Sequence, residues 1–263
     1  MPVFEPYIPK EYLALKINYC KQQLAALPEV VISHRTIRGV NKLVYMTKHH
    51  TYSADSTQGE KLRICMQERE KHLCNLSKYE GLWKSCFRGE PPEDIKPEKK
   101  ARKCFVNNTE SVILNGAFFE SLKNDANPYY REHKTHFFNG TYYRSPVEAE
   151  IARFYTEQEI PFKYEPEIWL KGLNHPINTD FVILINELDQ CKFHEHFGLK
   201  NSTDYTRKTA TTINNYAGAG LLPGLDLICT YDTDAVPFDI RSFFASFNSM
   251  IYASLFTIDN SMP

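Results

Sequence analysis

Apolar positions along this chain follow helical and strand periods in turn, and the second half is the more regular. Between residues 10 and 27, Leu13, Leu15, Ile17, Leu24 and Leu27 sit among Lys, Asn and Gln, and Pro28 follows. That spacing predicts a helix ending near Leu27. From Val30 to Tyr45, two runs rich in β-branched and aromatic residues flank Arg38-Gly39, which predicts a hairpin. Residues 56–87 are polar, with Leu62, Ile64, Met66, Leu73, Leu76 and Leu82 at helical intervals, and read as one or two helices. Residues 88–104 carry Arg-Gly, Pro-Pro and a run of lysines, the composition of a linker or exposed loop. From 110 to 143 a short apolar segment precedes Phe118, Phe119, Tyr129, Tyr130, Phe137, Phe138, Tyr142 and Tyr143, read mainly as packing residues.

The pattern sharpens at Ser145. Ser145 suits an N-cap and Pro146 the first helical position, and Glu148 falls where it completes a capping box. This helix continues through Ile151, Phe154 and Tyr155 to about Glu159. Strands are expected over Phe162–Leu170, Ile177–Leu188, Cys191–Phe197 and Leu225–Tyr231, with turns at 172–176 and 186–190. Helices are expected over 203–217 and Ile240–Leu255. The order α-β-β-β-α-β-α predicts an α/β core: a mixed four-stranded sheet flanked by helices. The expected division is an N-terminal helical and hairpin region, 1–143, suited to substrate or partner binding, and a core, 144–263.

Composition narrows the possibilities. The 263 residues are 42% hydrophobic, enough for a substantial core. With 31 Lys+Arg against 32 Asp+Glu the net charge is -1, so a globally basic nucleic-acid binder is not expected, although residues 92–103 end in a local basic cluster. The seven cysteines form no CxxC pair, which argues against a zinc or disulfide scaffold and for reduced thiols in a cytoplasmic protein. No apolar run approaches the roughly 20 residues needed to span a bilayer, so no membrane partner is expected.

The candidate chemistry is acidic. Asp180 and Glu195 lie on neighbouring apolar strands, and a carboxylate buried without a partner is costly. A hard cation such as Mg²⁺ or Mn²⁺ removes that cost, because it takes oxygen ligands and keeps waters able to attack a phosphodiester. Glu148, on the preceding helix, can join them. Taken singly, Glu148 is explained by its cap, and Asp180 by a strand start. The three together are harder to explain structurally.

Residues 145–231 carry Ser145-x-x-Glu148, Tyr164-Glu165, Thr179-Asp180-Phe181 and Glu195-His196-Phe197-Gly198. Asp204-Tyr205, which leads a helix, and Leu227-Ile228-Cys229-Thr230 follow. In this order and spacing the segment resembles the PD-(D/E)XK, restriction-endonuclease-like nuclease superfamily, and within it a widespread group of uncharacterised bacterial proteins. The resemblance covers roughly the last 120 residues. It implies Mg²⁺-dependent phosphodiester hydrolysis of DNA, as an endonuclease or nickase. Asp180 and Glu195 would hold the metal with the backbone carbonyl of His196, and Glu148 would complete the acidic cluster. Implied partners are DNA, a second copy of the chain, and mobile-element, repair or defence machinery.

Two departures bear on activity. Thr179 stands where the group has proline, a position that shapes the strand start. The group's lysine, seven residues after the helix tyrosine, is here Thr212, and Lys208, one turn earlier on the same helical face, is the expected substitute. Lys163 and Arg153 are further candidates for the cationic role. His194 and His196 should face away from Glu195 and are weak candidates for a general base. The alternative is a catalytically impaired nuclease-fold module that serves nucleic-acid binding or protein assembly.

Overall fold

A computed structural model describes residues 9–37, 39–92, 101–107, 110–129, 131–199, 203–233 and 235–255. The chain divides into two compact units between residues 96 and 97. The expected boundary at 143/144 falls inside the second of them. The middle of the expected linker, residues 93–100, lies outside the described residues, as do Tyr130 and the side chain of Asp204.

The first unit contains helix α1 (Lys10–Ala26), strands β1 (Val31–Ile37), β2 (Val40–Met46) and β3 (Thr51–Ser53), and helix α2 (Thr57–Cys86). The two helices pack through Leu13, Ala14, Ile17 and Cys20 against Tyr79 and Trp83. The hairpin forms around Gly39, antiparallel from Val31↔Met46 to Ile37↔Val40. A third strand, which the sequence did not signal, pairs with the base of β2 only, from Val44↔Ser53 to Met46↔Thr51. Ser56 caps α2, accepting a hydrogen bond from Gly59 N at 3.0 Å. Gly59 is required there, since a Cβ would sit 2.1 Å from the Ser53 carbonyl oxygen.

The second unit begins with the hairpin β4 (Lys103–Asn107) and β5 (Glu110–Ile113), a short helix α3 (Gly116–Ser121), and the hairpin β6 (His136–Phe138) and β7 (Thr141–Tyr143). Of the aromatics here, Phe119 and Tyr143 are core residues, while Tyr129, Phe137 and Tyr142 are exposed. Helix α4 (Pro146–Glu157) follows, then β8 (Phe162–Tyr164), β9 (Glu167–Ile168), β10 (Ile177–Asn178), β11 (Phe181–Ile185) and β12 (Gln190–Leu199). Helix α5 (Thr203–Gly218), β13 (Leu227–Thr233) and α6 (Ile240–Leu255) complete it.

The central sheet runs β13-β12-β11-β8. It is mixed, as expected: β11 is antiparallel to β8 and β12, while β12 and β13 are parallel. The short turn Asn186–Asp189 permits the antiparallel pair, and α5 supplies the crossover that a parallel pair needs. Every residue of β11 is buried, because both faces of the sheet are covered. On one face, rings of α4 and α6 meet the sheet: Tyr155 lies 5.8 Å from Phe181 and Phe243 lies 4.9 Å from His194, centroid to centroid. On the other, Val182, Leu184, Phe193 and Leu227 join Tyr216 of α5 and Ala219 just after it, with Phe119, Cys104 and Val106 from α3 and β4.

Two expected strands are broken in the structure. Phe162–Leu170 divides at Glu165, whose φ of 43° lies in the left-handed region, and Pro166 then lacks an N–H for the ladder. Ile177–Leu188 divides at Thr179-Asp180 and ends in a 3₁₀ turn. The outer pieces, β9 and β10, pair with each other as a separate ribbon. The second break borders the cleft described next. All seven cysteines are unpaired, and no helix among the described residues is long and apolar enough to cross a membrane.

Candidate metal and phosphate cleft

The last β11–β12 pair toward this end of the sheet is Phe181↔His194. One step further, the same register sets Asp180 opposite Glu195. Alternation puts both side chains on the α5 face, with Val182 and Phe193. Both are buried, at 7% and 9% exposure. Asp180 Oδ2 accepts the His196 backbone N–H at 2.7 Å. Glu195 Oε1 accepts a hydrogen bond from the buried Tyr216 hydroxyl of α5. Together they line a cleft of about 570 Å³ with Glu148, Arg144, Lys208, Thr212 and Asp232.

The expected residues are therefore gathered in one place, but not as one ligand set. Glu148 approaches from α4, on the opposite face of the sheet. Its Oε2 accepts from the Tyr164 hydroxyl at 2.6 Å and from Arg144 N at 3.1 Å. This also corrects the capping box. Ser145 does cap the helix, accepting from Glu148 N at 3.1 Å, but the Glu148 carboxylate turns to the Arg144 N–H, one residue before the cap. Among the described residues, no group of three or more His, Cys, Asp or Glu is arranged to hold a metal ion. Asp180 and Glu195 therefore stand as a pair and not as part of a three-residue ligand set.

Electrostatics show what that pair lacks. Burial, then repulsion from Glu195 and Glu148, holds Asp180 well above the usual carboxylate range, despite the His196 N–H and Arg144. Burial likewise pushes Glu195 up to about 7 against the opposing Tyr216 hydrogen bond. A fourth carboxylate, Glu165, is fully buried behind them. It is held by Lys134 Nζ at 2.5 Å, Arg144 Nη2 at 2.5 Å and Asn127 Nδ2 at 3.0 Å. Arg144 lies farther from Asp180 Oδ1, at 3.6 Å. Glu148, Glu165, Asp180 and Glu195 thus meet only Arg144 and Lys134, and Lys134 is shared with Asp125, so the acidic side is under-compensated when all are ionised. A divalent cation would relieve that excess. Mg²⁺ is commonly bound through one or two carboxylates plus waters and substrate phosphate, which two donors satisfy.

The cationic side differs from expectation in part. Lys208 stands at the cleft as expected, exposed and with no ion pair to a described residue, and Thr212 lies beside it. Lys163 and Arg153 do not reach the cleft. They lie over the rings of Phe119 and Phe138, at 5.0 and 5.2 Å from the centroids. The cation embedded in the site is Arg144, immediately before the helix cap. Its Nε–H is buried without a hydrogen-bond partner among the described residues.

The histidines face away from Glu195, as alternation requires. His194 is fully buried, with Nδ1 2.7 Å from the Tyr155 hydroxyl and Nε2 2.9 Å from Thr230 Oγ1. His196 Nδ1 also meets Thr230 Oγ1, at 3.0 Å, and its Nε2 lies 3.5 Å from Asp232. His194 is a packing residue held neutral. Burial, with His196 nearby, pushes its pKa down to about 3. Its stabilising contribution is complete above the unfolded value near 6.5 and is lost as pH falls from there toward 3. Urea unfolding in EDTA should therefore show stability lower by about 2 kcal/mol at pH 5 than at pH 7 from this group, at ~1.4 kcal/mol per pH unit below 6.5. In H194Q that slope should flatten; a slope unchanged by the substitution would contradict the assignment.

Comparison with family models, curated proteins and solved structures finds no match to the chain.

Proposed function

We propose that residues 101–255 form a restriction-endonuclease-like module whose cleft takes Mg²⁺ or Mn²⁺ and a DNA phosphodiester, and that hydrolysis of that ester is its reaction. The observation that carries this reading is the buried pair Asp180 and Glu195 in one cleft, each pushed above the usual carboxylate range by burial, Asp180 also by repulsion from Glu195. Asp180 and Glu195 would hold the metal. When bound, the metal supplies Lewis-acid polarisation of a phosphoryl oxygen and lowers the pKa of a coordinated water. Tyr216 and the His196 N–H fix the two carboxylates by hydrogen bonding one oxygen of each. Arg144 lines the cleft, and a guanidinium pairs well with phosphate oxygens. Lys208, exposed and lining the cleft, would stabilise negative charge developing on the phosphoryl group.

A second reading is a module of the same fold that binds nucleic-acid phosphates, or a protein partner, without cutting. Two observations favour it: no three-donor metal group is formed among the described residues, and Thr212 stands where the resembling group has lysine. Supercoiled plasmid incubated with Mg²⁺ or Mn²⁺ separates the two readings. Hydrolysis predicts nicked or linear product that EDTA abolishes, and K208A should slow it by about 10²–10³-fold with metal affinity kept within about twofold. Plasmid bound but intact in both metals replaces hydrolysis with the binding-only reading.

A further inference from the structure

The β1–β2 ribbon carries a charge pattern that its fold does not need. Above Val44, where pairing with β3 stops, it is only two strands wide, and His34, Arg35, Thr36 and Val40 to Leu43 are all exposed. Both faces of this part are open. Between Val30 and Ala54 the sequence holds four Lys or Arg and three His, and no Asp or Glu. Arg35 stands directly opposite Lys42 in the register, and neither has a carboxylate partner among the described residues. Like charges directly opposite one another destabilise a strand pair, so this arrangement opposes folding. The other face of the same ribbon presents Thr36 opposite Asn41, and His34 opposite Leu43.

We propose that this ribbon is an arm for duplex DNA that seats in the major groove. Charge complementarity selects a polyanion. The B-form major groove, about 12 Å wide, admits a two-stranded β-ribbon. Arg35 and Lys42 would meet backbone phosphates, while Thr36 and Asn41 carry the hydroxyl and amide groups that hydrogen bond to base edges. A-form RNA is the wrong shape, because its major groove is too deep and narrow for side chains to read. The inference does not depend on whether the cleft of the other unit cuts.

The test is fluorescence anisotropy with a short labelled DNA duplex and the full chain in EDTA, so that hydrolysis plays no part. The comparison is wild type, R35A/K42A, and K61A/K84A as an equal loss of exposed charge elsewhere on the same unit. R35A/K42A should bind at least about tenfold more weakly and lower the log–log salt slope by about 2, at roughly 0.9 per lost phosphate contact. K61A/K84A should stay within about twofold. Removing the opposed charges should leave the melting temperature equal or higher, so that weaker binding is not loss of fold. The proposal is overturned by the absence of wild-type binding, by an R35A/K42A affinity and slope equal to wild type, by an equal loss in the control, or by equally tight binding of duplex RNA. Self-association of R35A/K42A with DNA affinity unchanged would assign the charges to strand-edge protection instead.

Discussion

Asp180→Asn should abolish metal-dependent plasmid cleavage while making the metal-free protein more stable. Both effects come from the same charge deficit. Asp180 and Glu195 are desolvated side by side, Glu148 adds its repulsion to Asp180, and the nearest cations, Arg144 and Lys134, are shared with Glu165 and Asp125. Asparagine keeps an acceptor for the His196 N–H and nearly the same volume, so the substitution removes charge and little else. The expected gain in EDTA is about 0.5–2 kcal/mol, the usual range for relieving a functional site held against stability. For a unit of this size that is a few degrees, at ~2–4 °C per kcal/mol. Cleavage should fall at least on the order of 10²–10³-fold with loss of this electrostatic support. Differential scanning fluorimetry with and without Mg²⁺, beside a nicking assay, reads both. If the variant melts below wild type in EDTA, the carboxylate pair is not strained by its own charge, and the argument for a cation there fails.

Glu165→Ala has the opposite sign and the largest stability effect. Glu165 is completely buried and joins Lys134, Arg144 and Asn127, three residues that are distant from it in sequence. Its backbone joins the site as well: Glu165 N donates to the Asp180 carbonyl at 3.0 Å, and the Glu165 carbonyl accepts from Asn178 Nδ2 at 3.3 Å. Removing the carboxylate leaves Lys134, itself only 5% exposed, without one of its two acidic partners. Breaking a buried ion pair from one side costs about 3–5 kcal/mol. Chemical denaturation should show a loss of that size, with E165Q intermediate because it keeps an acceptor for Asn127. A loss below about 1 kcal/mol would mean that Asp125 and Asp180 compensate the two cations without it.

Much of this arrangement is readable from residue pattern, for identifiable reasons. Ser145-Pro146 marks the start of α4 because capping is local chemistry, settled within four residues. The opposition of Asp180 and Glu195 follows from two apolar strands joined by a tight turn, where register is fixed by burial of alternate side chains. The parallel strand and its crossover helix are legible from element order. What pattern does not carry is contact between distant segments. Tyr216 reads as an apolar helix residue, and nothing local marks its hydroxyl as the partner of Glu195. Arg144 is a single cation before a cap, and its role depends on Glu165 being turned inward by a left-handed backbone that the Tyr164-Glu165-Pro166 run does not announce. Lys163 and Arg153 have long stems that make them plausible anywhere within reach, and in the fold aromatic rings hold them elsewhere.

The tight turn between β11 and β12 also bears on the timing of folding. A hairpin of this kind closes in roughly 1–10 μs, and it sets Asp180 opposite Glu195 while both are still bathed in water, where their repulsion is small. The penalty arises only when α5 closes over that face and Tyr216 is buried, a step tied to the parallel docking of β13 on β12 across the α5 crossover. A cation captured by the finished cleft would then stabilise the native state without having helped the nucleus form. Its kinetic signature would be slower unfolding with a nearly unchanged folding rate, which would lengthen the lifetime of the closed site.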